Sequence, residues 1–85
     1  MWESEIDPGA RTDYDESVDW YLARDPETAL RFIRVAKQTL ESVRTDPERF
    51  ATIASDIRAA TIKGFPVEIV YRVHETTIQV LAYAH

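Results

Sequence analysis

Apolar side chains in the first half of the chain recur every three or four residues, the spacing of a helix with one buried face. Each of two stripes follows an Asp-Pro pair, in which the aspartate caps the helix and the proline takes the first helical position. The pattern predicts a hairpin of two helices, from Asp7-Pro8 to about Arg24 and from Asp25-Pro26 to about Thr45. The stripes comprise Ala10, Tyr14, Val18, Tyr21 and Leu22, then Ala29, Phe32, Ile33, Ala36, Leu40 and Val43.

The second half of the chain alternates apolar and polar residues, which is typical of strands. Strands are predicted at 57–62, 67–73 and 77–84, with a further short strand at 2–6. The last strand is expected to turn Ile78, Val80 and Ala82 to one side. Residues 46–50 indicate a turn with a short helical piece. The order β-α-α-β-β-β predicts an α+β fold, in which an N-terminal strand and a helical hairpin pack on a small, mainly antiparallel sheet.

Length and composition limit the classes of protein that the chain can represent. Its 85 residues predict a single domain, 1–85. The absence of cysteine excludes disulfides and thiolate zinc sites. No apolar run approaches the roughly 20 residues of a membrane span, and the first residues lack the features of a signal peptide. We therefore expect a cytoplasmic protein with no membrane association, no metal and no cofactor.

Charge is distributed unevenly along the sequence. Residues 1–27 carry a net charge of −7, whereas residues 28–85 carry +2. The acids of the first helix, Asp13, Asp15, Glu16 and Asp19, lack the spacing of a calcium loop and indicate a solvated face. Proteins that bind nucleic acid depend on Lys and Arg contacts to phosphates, so the overall charge of −5 argues against direct nucleic-acid binding. The second half nevertheless leaves room for a local basic surface.

Several local strings, taken in order, resemble the RelE/ParE superfamily of type II toxin–antitoxin toxins, which includes plasmid stabilisation proteins. They are DYDESVDWY at 13–21, A-x-x-F at 29–32, DPERF at 46–50, Arg58, Phe65-Pro66 followed by Ile69-x-Tyr71-x-Val73, and Ile78-x-Val80 leading to His85. They span nearly the whole chain. The resemblance implies a toxin that inhibits growth and forms a hetero-oligomer with a cognate antitoxin.

The superfamily contains two activities, which the resemblance separates residue by residue. RelE-like toxins cleave mRNA on the ribosome, whereas ParE-like toxins lack nuclease chemistry and inhibit DNA gyrase. Aligning the chain through Tyr71 places Glu68 where the nuclease branch has an arginine, and Ala59 and Thr61 near its lysines. The resemblance therefore favours the ParE-like branch and argues against an enzyme. Two alternatives stay open: a ribosome-dependent mRNA endonuclease using Arg58, Lys63, Arg72 and His85, and an inactive interaction module.

Candidate site residues follow from these hypotheses. Weak catalytic candidates are Arg58, Arg72 and His85, each of which has a structural interpretation as a solvated or paired side chain. Candidate partner-binding residues are Trp20, Arg58, Lys63, Arg72 and Tyr83. A tyrosine at the position of Tyr83 is more often a core or cross-strand packing residue, and the structural interpretation of Trp20 is that it fixes the hairpin to the sheet. We expect the antitoxin to lie across the sheet and the hairpin groove, as an amphipathic helix or an added strand, and to be more basic than most because this toxin is acidic.

Overall fold

A computed structural model describes residues 2–85 and contains two helices and five strands. In chain order the elements are β1 (Glu3–Ile6), α1 (Pro8–Arg24), α2 (Pro26–Thr45), a single 3₁₀ turn (Pro47–Arg49), β2 (Thr52–Ala54), β3 (Ile57–Thr61), β4 (Glu68–His74) and β5 (Thr77–Ala84). Both predicted helices end where the sequence pattern places them. Asp25 caps α2 as expected, because its carboxylate accepts hydrogen bonds from the Glu27 N–H and the Thr28 hydroxyl.

The five strands form one mixed sheet in the order β1-β5-β4-β3-β2. β1 runs parallel to β5, and the remaining neighbours are antiparallel. The α+β class and the element order are therefore confirmed. Strand β2 was not anticipated from the sequence, since three residues are too few to show an alternating pattern.

The helical hairpin packs on one face of the sheet, which we call the inner face. The register pairs Ala60 with Ile69 and Tyr71 with Val80, and all four side chains are buried in the core. The opposite, outer face includes Ala59, Thr61, Glu68, Val70 and Arg72.

An aromatic cluster joins the hairpin to the sheet. The ring of Phe32 on α2 is fully buried, with its centroid 5.1 Å from that of Phe65, 5.2 Å from that of Tyr21 and 5.9 Å from that of Tyr14. Rings at these separations gain interaction energy beyond the area they bury. The hydroxyl of buried Tyr71 donates to the carbonyl of Pro47 and so attaches the 3₁₀ turn to β4.

A β-bulge in β5 overturns one prediction about the core. Val70 pairs with Ala82 and Tyr71 pairs with Val80, so Leu81 is the extra residue on its strand. An extra residue shifts the alternation of side chains by one position. Tyr83, and not Ala82, consequently returns to the inner face, where it is 6% exposed.

Two further expectations about α1 were wrong in detail. Leu22 was placed on the buried stripe, yet it is 52% exposed, because it lies a further 100° around the helix from Tyr21. Asp7 occupies the N-cap position of α1 without a side-chain cap. Its carboxylate instead accepts a hydrogen bond of 3.0 Å from the amide of Gln79 on β5.

Candidate functional site

A groove lies along the helical hairpin and ends at the sheet. We call it the hairpin groove; it has a volume of about 290 Å³ and is lined by Ile6, Arg11, Tyr14, Ile33, Ala36, Lys37, Leu40 and Tyr83. Ile6 and Ile33 are each more than a third exposed, although both are large apolar residues. Leu22 lies on the same side of α1 as Arg11, and Leu30 on the same side of α2 as Ile33 and Lys37, so the exposed apolar surface extends beyond the groove.

Tyr83 lines both the hairpin groove and a second pocket where β5 ends beside α1. Its ring packs edge-on against Tyr14, with 5.2 Å between centroids, and its backbone N–H donates to the Asp13 carboxylate at 3.2 Å. Burial, reinforced by Tyr14, raises the pKa of Tyr83 to about 12. The phenol is therefore neutral at physiological pH. Since only 6% of Tyr83 is exposed, the part that the sequence assigned to it in partner binding is confined to a small area.

Alkaline solution is expected to destabilise the protein through Tyr83. The folded-state pKa of about 12 lies above the ordinary value of 10, so the stabilising contribution is complete below pH 10 and is lost as the pH rises towards 12. Two pKa units correspond to at most about 3 kcal/mol. Urea unfolding at pH 8, 10 and 11 measures the decline.

Comparison with the variant Tyr83→Phe isolates this contribution. Burial also raises the pKa of Tyr14 and of Tyr71, so the variant keeps part of the alkaline decline. The expected result is a shallower dependence of unfolding free energy on pH than in the wild type. Identical slopes for the two proteins would show that Tyr83 does not contribute.

A second concave surface lies where β5 ends beside α1. We call it the β5-end pocket; it has a volume of about 180 Å³ and is lined by Asp13, Glu16, Ser17, Trp20, Tyr83 and His85. Three residues singled out from the sequence, Trp20, Tyr83 and His85, thus meet at one place. The other three, Asp13, Glu16 and Ser17, were not predicted as site residues. Ser17 carried a usable signal, because it is a polar residue on the buried stripe of α1, three positions after Tyr14 and four before Tyr21.

Arg58 is on the inner side of the sheet. It pairs with Tyr71 in the register, and its guanidinium donates to the backbone carbonyls of Phe50 at 2.6 Å and Glu48 at 3.1 Å. These bonds attach the segment after α2 to β3. The geometry therefore supports the structural interpretation of Arg58.

Arg72 lies on the outer face, where its position is fixed by a chain of hydrogen bonds. Its Nε donates to the Gln79 side-chain oxygen at 2.9 Å, and the Gln79 amide donates in turn to Asp7. Lys63 is exposed in the turn before β4, beside a separate groove that it shares with Arg49. Arg58, Lys63 and Arg72 therefore do not form one cationic patch.

The weak catalytic candidates are also far apart. Arg72 pairs with Gln79, which is six residues from His85, or about 20 Å along an extended strand. Arg58 faces the other side of the sheet from Arg72. Among residues 2–85, no group of three or more His, Asp or Glu side chains could hold a metal ion. Neither α1 nor α2 combines the length and the apolar character required to cross a membrane.

The positions aligned with the nuclease residues of the RelE-like branch do share one surface. The register pairs Thr61 with Glu68 and Ala59 with Val70, so Ala59, Thr61 and Glu68 are neighbours on the outer face. One is a methyl group, one a hydroxyl and one a carboxylate. None can supply a positive charge.

Several solved structures share this architecture. The fold superimposes on the chromosomal ParDE toxin–antitoxin system from P. aeruginosa with a TM-score of 0.85 and 21% identity, covering 100% of this chain and 96% of that one. It is also similar to the YoeB dimer of Staphylococcus aureus, with a TM-score of 0.67, 13% identity and coverage of 99% and 95%. The third is the YoeB–YefM toxin–antitoxin heterotetramer of Staphylococcus aureus. Its TM-score is 0.65 at 14% identity, and the match covers 100% of this chain and 97% of that one.

Sequence comparison identifies the family. The ParE toxin family of type II toxin–antitoxin systems matches residues 5–85. The chain therefore belongs to the ParE toxin family. A search of curated protein sequences gives no significant match.

Proposed function

We propose that this ParE-family toxin acts by binding proteins and does not cleave RNA. The observation that carries the proposal is the chemistry of Ala59, Thr61 and Glu68 on the outer face. RNA cleavage through the 2′-hydroxyl requires an acid, a base and cations close to the phosphorus. A carboxylate at Glu68 would repel the phosphate. The one arginine of β4, Arg72, is engaged by Gln79.

The first partner that we propose is a cognate antitoxin bound in the hairpin groove. The groove offers apolar anchoring positions at Ile6, Ile33 and Leu40, with the cations Arg11 and Lys37 among its lining residues. This is the surface that an amphipathic helix requires. A partner that binds only the folded toxin also stabilises it by mass action. The expectation that the antitoxin is more basic than most rests on the toxin's overall charge of −5, whereas the groove itself contributes two cations.

The second partner that we propose is the cellular target, DNA gyrase, reached in the cytoplasm. The resemblance to the ParE-like branch supports this target, and the net charge of −5 argues against direct contact with nucleic acid. Binding of this kind needs no catalytic group. The wide separation of Arg58, Arg72 and His85 is consistent with it.

Controlled expression in a bacterial host without antitoxin tests the proposal. The expected result is a fall in viable count, with filamentous cells and an induced DNA-damage response. Mapping of mRNA 5′ ends in the same cultures should reveal no new cleavage sites. Fresh cleavage sites, together with relief of toxicity by Arg72→Ala, would instead identify a nuclease. Unimpaired growth with folded protein present would identify an interaction module.

A further inference from the structure

Strand β3 has a free edge beyond the point where β2 ends. The Ala59 N–H still donates to the carbonyl of Ala51, just before β2, at 3.2 Å. In the same antiparallel register, residue 49 would lie opposite Thr61. It does not, because residues Pro47–Arg49 form the 3₁₀ turn that follows α2. The end of β3 is therefore left without a neighbouring strand on this side.

Thr61 presents both of its backbone polar groups at this free edge. Successive residues of an antiparallel strand direct their N–H and C=O groups alternately to the two sides. The Ile62 N–H donates to the carbonyl of Val67, just before β4, at 2.9 Å, so the groups of Thr61 point away from β4. Thr61 is exposed, and within residues 2–85 no backbone hydrogen bond engages its N–H or its C=O on that side. A free donor and acceptor at a sheet edge form a template for an added strand.

A groove between α2 and this edge gives an added strand room. We call it the α2–β3 groove; it has a volume of about 430 Å³ and is lined by Val35, Gln38, Thr39, Ser42, Arg49, Phe50, Thr61 and Lys63. The volume is roughly 14 times that of a water molecule, which is more than a single small anion would fill. Val35 and Phe50 are half-buried and offer an apolar side chain a place to pack.

The α2–β3 groove is positively charged although the protein is acidic. The chain has 15 Asp and Glu residues against 10 Lys and Arg, yet the lining within residues 2–85 includes Arg49 and Lys63 and no acid. Glu41 and Asp46 line a neighbouring pocket with Arg49, but in the described part of the chain neither cation forms an ion pair. The central carbon of the Arg49 guanidinium lies 4.7 Å from the centroid of the Phe50 ring. Stacking uses the flat face of a guanidinium and leaves its N–H edge free for a carboxylate.

We propose that the α2–β3 groove binds an extended acidic segment of a protein partner, added as a strand to the free edge of β3. The backbone of the segment exchanges hydrogen bonds with Thr61, and its carboxylates pair with Arg49 and Lys63. Side chains two residues apart lie on the same side of a strand, so acidic residues on either side of an apolar one, in alternate positions, match the groove. A nucleic acid fits less well, because phosphates only accept hydrogen bonds, whereas Thr61 offers both a donor and an acceptor.

The α2–β3 groove is separate from the hairpin groove. No residue of the described chain lines both of them. The helix proposed for the hairpin groove and the acidic segment therefore contact different sides of α2. Loss of antitoxin binding through Ile33 and Leu40 would leave the α2–β3 groove intact, so the two proposals can fail separately.

Titration of the 15N-labelled protein with the peptide acetyl-ETVTE-amide, followed by NMR, tests the proposal. We expect millimolar binding, with the largest shifts at the backbone amides of Thr61 and Lys63. At about 80% saturation, the hydrogen-exchange rate of the Thr61 amide should fall to about one fifth, because only the free protein exposes this N–H to water. The neutral peptide acetyl-QTVTQ-amide should bind at least about fourfold more weakly, since it lacks two ion pairs.

Arg49→Gln and Arg34→Gln form a matched pair of variants. The first should weaken binding of the acidic peptide about two- to fivefold, as expected for loss of one exposed ion pair. The second removes the same charge, but Arg34 is exposed on α2 and does not line the groove, so its affinity should equal that of the wild type.

Any of three results would overturn the proposal. They are equal binding of the acidic and neutral peptides, an unchanged exchange rate at Thr61, and equal weakening by Arg49→Gln and Arg34→Gln. The third would mean that the peptide responds only to the overall charge of the protein. The two peptides are compared on the wild-type protein, so the first two results do not depend on the folding of either variant.

Discussion

Replacement of Phe32 by alanine is expected to lower the free energy of unfolding by about 3–5 kcal/mol. Phe32 is fully buried, and its ring meets those of Tyr14, Tyr21 and Phe65 between the hairpin and the sheet. The change therefore removes apolar contacts and opens a cavity at the centre of the core. A domain of this size has a total stability of roughly 4–13 kcal/mol, so a large share would be lost. Thermal unfolding monitored by circular dichroism provides the measurement.

Leu30→Ala is the control for Phe32→Ala. Leu30 is on the same helix but 66% exposed, so its truncation should change stability by less than about 0.5 kcal/mol. Since 1 kcal/mol shifts the melting temperature of a small domain by about 4–8 °C, the two variants should be separated by more than about 10 °C. Similar melting temperatures would show that the aromatic cluster is not the centre of stability.

The substitution Ile33→Asp is expected to weaken binding of the antitoxin by at least about 30-fold. Ile33 lines the hairpin groove and is 37% exposed, so an apolar partner helix would cover it completely. A carboxylate at this position would have to lose its hydration beneath the partner's apolar side chains, at a cost of about 2 kcal/mol or more even with Lys37 one turn away on α2. Binding of the cognate antitoxin, measured by calorimetry, tests this expectation.

Gln38→Asp provides the matched control for Ile33→Asp. It adds the same charge to α2, but Gln38 lies in the groove shared with Lys63, on another side of the helix. Its affinity for the antitoxin should change little. The reverse outcome, with loss of binding only for Gln38→Asp, would move the antitoxin to that second groove and contradict the proposed site.

The helices could be predicted well because their signals are local. The Asp-Pro pairs at 7–8 and 25–26 mark both starts within a few residues of sequence. The direction taken by the Asp7 side chain could not be predicted, because its partner, Gln79, is 72 residues away. Sequence periodicity contains no information on such a contact.

Four of the five strands could be predicted, and the three-residue strand β2 could not. The alternation at 67–73 separates Ile69 and Tyr71 from Glu68 and Arg72, which predicts that the first two share a face, and both are buried in the core. The bulge at Leu81 could not be predicted, because it arises from pairing with β4 and leaves no distinct pattern in the sequence of β5. This is why Ala82 was expected inside and Tyr83 was assigned to a partner surface.

The candidate site was predicted in part. Sequence reasoning selected Trp20 and His85 without indicating that they share a pocket, since that contact requires the end of β5 to lie beside α1. It grouped Arg58 with Arg72 because both are basic residues on predicted strands. Only the register shows that they lie on opposite faces.

The parallel pairing of β1 with β5 has a consequence for the timing of toxin assembly during translation. Glu3 of β1 is paired with Thr77 of β5. At about 5–20 residues per second, Thr77 is added to the growing chain roughly 4–15 s after Glu3. The hairpin groove contains Ile6 and Tyr83, so it is complete only once both strands are in place. An antitoxin that binds this groove therefore requires a toxin chain in which β5 has already been synthesised and paired, because a shorter nascent chain does not yet offer the surface.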